Sequence, residues 1–146
     1  MEADAPSIQL GVQLGVSALM VLAMTMIHSL GLVGVSRLLP IDEKRLERRH
    51  FDVRGMMLLG TLGLTLFLLH IVEIWLFALF YLGVDAMQTV EEALYYSASA
   101  YATLGRAADY FPEEWRLIGA VEALIGFVLI SWSTAFMVTT MNQLRR

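Results

Sequence analysis

The distribution of charged residues constrains the fold of this 146-residue chain more than any other feature. Three long windows are almost free of Asp, Glu, Lys and Arg. They lie between residues 4 and 37, 54 and 85, and 116 and 145, and they contain only Glu73 and Glu122. A helix needs about 20 apolar residues to cross the core of a bilayer, and each window is longer than that. The sequence therefore predicts an all-α integral membrane protein with three membrane-spanning helices.

The composition agrees with this prediction. The chain is 58% hydrophobic and 16% charged, whereas a soluble domain is about 45–50% apolar and about 25% charged. The net charge of -4 argues against a nucleic-acid partner. The chain has no cysteine, which excludes disulfides, thiolate metal sites and cysteine nucleophiles. No hydrolase, metalloprotease or phosphate-loop motif occurs, so we do not expect an enzyme.

The positions of the cationic residues predict the topology. Six of the ten Lys and Arg residues fall at residues 37–54, and two more end the chain. Arg106 and Arg116 are the remaining two. The positive-inside rule places the eight on the cytoplasmic side. The N-terminus and the segment 85–116 are therefore expected outside, and the C-terminus in the cytoplasm.

The chain divides into two parts at residue 52. Residues 1–52 hold the first membrane helix and a polar cytoplasmic elbow, and residues 53–146 hold the rest. Within the second part we expect membrane helices at 53–84 and 116–144, with a short helix and a loop at 85–109 between them.

The short helix is predicted from its start signals. Asp85 and Gln88 have the spacing of a capping box, and the acidic Glu91 and Glu92 follow where a helix dipole favours negative charge. The helix should end near Ala102, which gives it about 16 residues and about 24 Å. That length is too short to span the bilayer and long enough to re-enter it.

The segment after this short helix resembles the pore module of potassium channels. The order is a short helix, Thr103-Leu104-Gly105, Asp109 four residues later, and then a long helix, whereas the family's filter reads T-V-G-Y-G-D. The letters HIVEIWLFALFY (70–81) and EEWRLIGAVEALIGFVLISWSTAFMV (113–138) resemble the outer and inner helices of bacterial two-pore-domain-like channels. The resemblance covers roughly residues 53–142.

This resemblance implies a four-fold homotetramer in a bacterial inner membrane. Each chain would lend one re-entrant loop, whose carbonyls replace the hydration shell of a monovalent cation such as K⁺. It maps the filter onto Thr103, Leu104 and Gly105, with Thr103 and Gly105 touching the ion, and it makes Tyr101 and Glu122 supports behind the filter. No other cofactor is implied.

The match ends after Gly105. Arg106 stands where the family has Tyr, Ala107 replaces the second Gly, and Ala108 is an extra residue before Asp109. A Cβ is penalised in the backbone conformations of the filter glycines, and a ring of four Arg facing the pore would repel cations. We therefore expect passive cation transport with altered or weak K⁺ selectivity. The alternative is a non-conducting or anion-passing pore.

Ionisable side chains within the predicted membrane spans are candidate functional residues. His70 and Glu73 lie three residues apart, on one face of a turn. We favour a buried hydrogen-bonded pair that fixes helix packing. The alternative from another class of protein is a small metal- or haem-binding membrane subunit that uses His28, His70 and Glu73. For Glu122 two interpretations stay open, a brace or Arg106 partner behind the filter and an interfacial carboxylate. Gly126 is either a hinge or a close-packing site.

Overall fold

The fold is described from a computed structural model, which describes residues 5–38, 53–104, 112 and 115–144. These residues contain helices and no strand, as the sequence predicts for an all-α protein. The helices are α1 (Ala5–Leu38), α2 (Val53–Gly83), α3 (Val90–Tyr101) and α4 (Arg116–Leu144). The predicted elbow at 41–52 and four residues of the predicted filter lie outside the described residues: Gly105, Arg106, Ala107 and Asp109.

Three of these helices are long and apolar enough to cross a membrane. The qualifying stretches within the described residues are Leu10–Arg37, Gly55–Gly83 and Arg116–Asn142. The prediction of three such helices is confirmed, and the chain is on this ground a membrane protein. At 1.5 Å per residue, the 31 residues of α2 extend for about 46 Å, which exceeds a hydrocarbon core of about 30 Å.

Helices α1 and α4 run parallel to one another. Near their first turns, the side-chain oxygen of Gln13 accepts a hydrogen bond from the backbone N–H of Leu117 (3.2 Å). Farther along, Ser133 Oγ lies 3.4 Å from His28 Nε2. The contact thus advances by 15 residues on α1 and 16 on α4. The bond from Gln13 also satisfies one of the N–H groups that every helix leaves free at its start.

Helix α2 runs antiparallel to α1. His28 contacts Glu73, and three residues farther along α1 the backbone of Gly31 lies against the side chain of Leu69. Residue numbers in contact therefore rise along α1 as they fall along α2. As a result, the end of α2 lies at the same end of the bundle as the beginnings of α1 and α4.

The short helix α3 packs between α2 and α4 and ends about a third of the way along each of them. The hydroxyl of Tyr101 contacts Glu73, which is ten residues before the end of α2 at Gly83. The backbone of Tyr101 also contacts Gly126, which is ten residues after Arg116, the start of α4. Ten residues of helix measure about 15 Å. The C-terminal end of α3 therefore lies about 15 Å from the nearer ends of both long helices.

The largest apolar cluster surrounds α3, so this short helix owes its position to packing from both neighbours. Its most completely buried members, each no more than 1% exposed, are Phe77, Ala78, Tyr81, Ala93, Ile118 and Leu129. A smaller cluster at the other end of the bundle joins α1 to α2 through Leu32, Val35, Leu62 and Leu66.

The predicted capping box at Asp85 is wrong, because Asp85 ends α2 instead of beginning α3. Asp85 has a φ of 54°, and the N–H of Ala86 donates to the carbonyl of Tyr81 (2.9 Å). This is the Schellman ending of a helix, and aspartate tolerates the left-handed conformation better than most residues do. The N-cap of α3 is Thr89, whose side chain accepts from the N–H of Glu92. Helix α3 has 12 residues, fewer than the predicted 16 or so.

Candidate functional site

Helix α3 ends in the same Schellman arrangement, with Thr103 in the left-handed position. Thr103 has a φ of 58°, its N–H donates to the carbonyl of Ala100 (2.8 Å), and the N–H of Leu104 donates to that of Ser99 (2.9 Å). Glycine is the usual residue in this position, and a β-branched residue is strained there. The next residue, Leu104, is 68% exposed. Thr103 and Leu104 are thus both exposed at the C-terminal end of α3.

The strain at Thr103 leads to a prediction. Thr103→Gly will raise the free energy of unfolding by about 1 kcal/mol, because the left-handed conformation costs a non-glycine residue roughly 1–2 kcal/mol. Thermal unfolding in detergent, followed by circular dichroism, measures the change. Ala98→Gly, on the exposed face of α3, is the matched control and should lower stability by roughly 0.5–1 kcal/mol. A Thr103→Gly protein less stable than the wild type would contradict the prediction.

A buried polar cluster joins α1, α2 and α3, and we call its members His28, His70, Glu73 and Tyr101 the Glu73 cluster. His28 Nδ1 lies 2.9 Å from Glu73 Oε1, and the Tyr101 hydroxyl donates to Glu73 Oε2 (2.5 Å). His70 Nδ1 is 3.0 Å from the same Oε2 and 2.8 Å from the Tyr101 hydroxyl. The side chains of His28 and Glu73 are fully buried, and that of His70 is 14% exposed. The carboxylate is thus the common partner of three side chains.

The aromatic and hydroxyl groups around His28 fix its orientation. Its ring stacks on His70 at a centroid distance of 5.5 Å and an interplanar angle of 27°, and it contacts Trp132 of α4, also at 5.5 Å. Its second ring nitrogen, Nε2, faces the Ser133 hydroxyl at 3.4 Å. Both nitrogens of His28 therefore face polar groups, although the ring lies among membrane helices.

A second cluster, Tyr81, Ser97 and Glu122, joins α2, α3 and α4, and we call it the Glu122 cluster. The Tyr81 hydroxyl donates to Glu122 Oε2 (2.5 Å). The Ser97 hydroxyl lies 2.5 Å from Glu122 Oε1 and 2.9 Å from the carbonyl oxygen of Ile74. Glu122 is fully buried. Its carboxylate is therefore inside the bundle, and it links α3 to both long helices. Its predicted partner Arg106 lies outside the described residues.

The two clusters hold the same face of α3. Ser97 and Tyr101 are four residues apart, which places them one above the other on a helix. Gly126 allows this end of α3 to approach α4: a Cβ on it would lie 2.5 Å from the carbonyl oxygen of Tyr101. The glycine is thus a close-packing site.

The structure brings together most of the predicted site residues that it describes. Sequence reasoning singled out Tyr101 and Glu122 as supports of the filter, and His28, His70 and Glu73 as an intramembrane group. It missed Tyr81 and Ser97. For Ser97, a signal was available in the sequence: it lies four residues before Tyr101 on a short apolar helix, which places the two side chains on the same face.

The Glu73 cluster is the one group of histidine and acidic side chains, among the described residues, whose donor atoms are close enough to hold a metal ion. One donor atom each from His28, His70 and Glu73 lies within 4.8 Å of the others. Two of the three side chains, those of His28 and Glu73, are fully buried.

No protein-family model, curated protein or solved structure matches the chain. The likeness to potassium-channel pore modules therefore rests on the motifs of the sequence alone.

Proposed function

We propose that this chain is the pore-forming subunit of a potassium-channel-like homotetramer through which monovalent cations move passively. The observation that carries the proposal is the position of α3. It begins near the ends of its two long neighbours, stops about a third of the way along them and is followed by the exposed residues Thr103 and Leu104.

The depth of α3 favours a re-entrant loop. In a bilayer crossed by α2 and α4, a helix that stops about 15 Å from their ends enters the hydrocarbon core of about 30 Å without crossing it. Backbone outside a regular helix is tolerated there only when it is buried in protein or lines a water-filled cavity. Within one chain Leu104 is 68% exposed. Other copies of the chain would supply the missing enclosure, and one loop per chain implies a ring of four.

The direction of α3 favours cations over anions. A helix carries partial negative charge at its C-terminal end, and that end of α3 points inward from the ends of α2 and α4. The acidic residues Glu91 and Glu92 occupy its first turn, where they complement the opposite end of the dipole. Arg106 and Ala107 depart from a K⁺ filter in the segment that follows. The proposed function is therefore cation passage with weak discrimination between K⁺ and Na⁺.

The exposed face of α4 suits the inner helix of such a ring. Its hydroxyl groups bond within their own helix: Ser131 donates to the carbonyl of Phe127 (2.7 Å) and Thr134 to that of Ile130 (2.9 Å). These side chains alternate with exposed apolar ones, which include Leu124, Phe127, Val128 and Val138. A face of this kind tolerates both a wet cavity and contact with a neighbouring apolar helix.

Ion flux in liposomes tests the proposal. The purified protein, reconstituted with gradients of K⁺, Na⁺ or Cl⁻, should pass K⁺ and Na⁺ at comparable rates and exclude Cl⁻. The detergent-solubilised particle should have the protein mass of four 16.3-kDa chains. If none of the three ions crossed the membrane, the proposal of ion conduction would be overturned. A protein mass other than that of four chains would overturn the proposal of a tetramer.

Arg106 supplies the matched variants. Arg106→Ala should increase cation flux, because it removes four positive charges from the mouth of a tetramer. Arg37→Ala, at the exposed end of α1, removes the same number of charges away from α3 and should leave the flux unchanged. Equal effects of the two substitutions would contradict a pore formed by the loop after α3.

A further inference from the structure

The Glu73 cluster has the donor chemistry of a transition-metal site. Imidazole nitrogen and carboxylate oxygen are standard ligands of Zn²⁺, at about 2.0–2.2 Å from the ion. Two ligands of one ion are therefore at most about 4 Å apart. The donor atoms of His28, His70 and Glu73 all lie within 4.8 Å of one another, so small side-chain adjustments would bring them around a single ion.

The neighbours of the cluster match what metal-bound histidines need. A histidine that binds a metal through one ring nitrogen usually donates its other N–H to a second group, which fixes its tautomer. His28 directs Nδ1 at Glu73, while Nε2 faces the Ser133 hydroxyl at 3.4 Å. The Tyr101 hydroxyl lies within hydrogen-bond distance of both Glu73 and His70, where a fourth ligand would stand.

We propose that His28, His70 and Glu73 bind one divalent transition-metal ion of the Zn²⁺ class, with Tyr101 beside it, and that this ion fastens α1 to α2 and to the end of α3. Two nitrogens and one carboxylate favour such an ion over Mg²⁺ and Ca²⁺, which prefer all-oxygen sites. Full burial of His28 and Glu73 adds a reason for a bound cation, because an ion of opposite sign compensates a carboxylate removed from water. The site does not depend on ion conduction by the pore.

Direct titration tests the site. The detergent-purified chain, stripped with a chelator and dialysed, should bind one Zn²⁺ per chain and become more resistant to thermal unfolding. One Co²⁺ per chain should give the visible absorption of a nitrogen- and oxygen-ligated ion and be displaced by Zn²⁺. Mg²⁺ at the same concentration should do neither. A wild-type chain that binds no stoichiometric Zn²⁺ would overturn the proposal.

Variants separate this site from adventitious binding. His28→Gln should weaken Zn²⁺ binding by more than about 100-fold, since the loss of an outer partner alone costs roughly 10- to 100-fold. Ser133→Ala removes such an outer partner and should weaken Zn²⁺ binding by roughly 10- to 100-fold. This variant serves as the test if His28→Gln does not fold. His50→Gln changes the chain's remaining histidine and should leave the affinity unchanged. Equal affinities in wild type, His28→Gln and Ser133→Ala would overturn the assignment, whatever the flux assay shows.

Discussion

Glu73→Ala is expected to lower the free energy of unfolding by roughly 3–5 kcal/mol, which is the cost of breaking a buried charged interaction by removing one partner. The carboxylate is the common partner of His28, His70 and Tyr101, which come from three different helices. Removing it leaves those three polar groups without that acceptor, and two of them, His28 and Tyr101, are buried. Thermal or denaturant unfolding in detergent, with a chelator present, measures the loss.

The control for Glu73 is an exposed acidic residue. Glu91→Ala removes a carboxylate from the first turn of α3, where interaction with the helix dipole is worth at most about 1 kcal/mol. The contrast between the two variants therefore isolates the effect of the buried cluster from that of net charge. If Glu73→Ala changed stability no more than Glu91→Ala, the cluster would not be what joins the helices.

Gly126→Ala should lower the free energy of unfolding, by less than Glu73→Ala does, and should also reduce ion flux. A Cβ on Gly126 would lie 2.5 Å from the carbonyl oxygen of Tyr101 and 3.0 Å from its Cα, so the backbone of α3 has to move. Overpacking of this kind costs roughly 1–3 kcal/mol. Because the displaced segment leads directly into Thr103, the loop after it should shift as well. Unfolding in detergent and flux in liposomes measure the two effects.

Gly60→Ala is the matched control for this overpacking. Gly60 is an exposed residue of α2, and a Cβ on it would meet nothing within 4 Å. Alanine is the better helix former by roughly 1 kcal/mol, so this variant should be at least as stable as the wild type. Flux lost equally in both variants would show that the approach of α3 to α4 is not what positions the loop.

The membrane helices could be predicted from the sequence because charge is excluded from the bilayer core. The predicted spans at 53–84 and 116–144 agree with Val53–Gly83 and Arg116–Leu144 to within one residue. The start of α3 was predicted at the wrong residue, Asp85, although Thr89 too is followed three residues later by a suitable partner. Tertiary structure decides between them: Asp85 is already used to end α2, so Thr89 remains as the cap.

The site was partly predictable for a different reason. The spacing of His70 and Glu73 within one helix already places them on one face, and the structure has them 3.0 Å apart. His28 reaches them only because α1 packs with one particular face toward α2. The nearly uniform apolar sequence of α1 does not specify that face. The contact from Ser133 depends in the same way on the parallel packing of α4, for which no local pattern exists.

The two carboxylates that grip α3 have a mechanical consequence. Ser97 is held by Glu122 and Tyr101 by Glu73, so the short helix is pinned at two heights on one side. A helix held by hydrogen bonds at two heights cannot rotate about its axis or shift along it unless both hydrogen bonds break. Substitutions in the loop beyond Leu104 should therefore leave the position of α3 unchanged. If the loop selects ions as proposed, changes in its sequence can alter that selection without moving the helix that carries it.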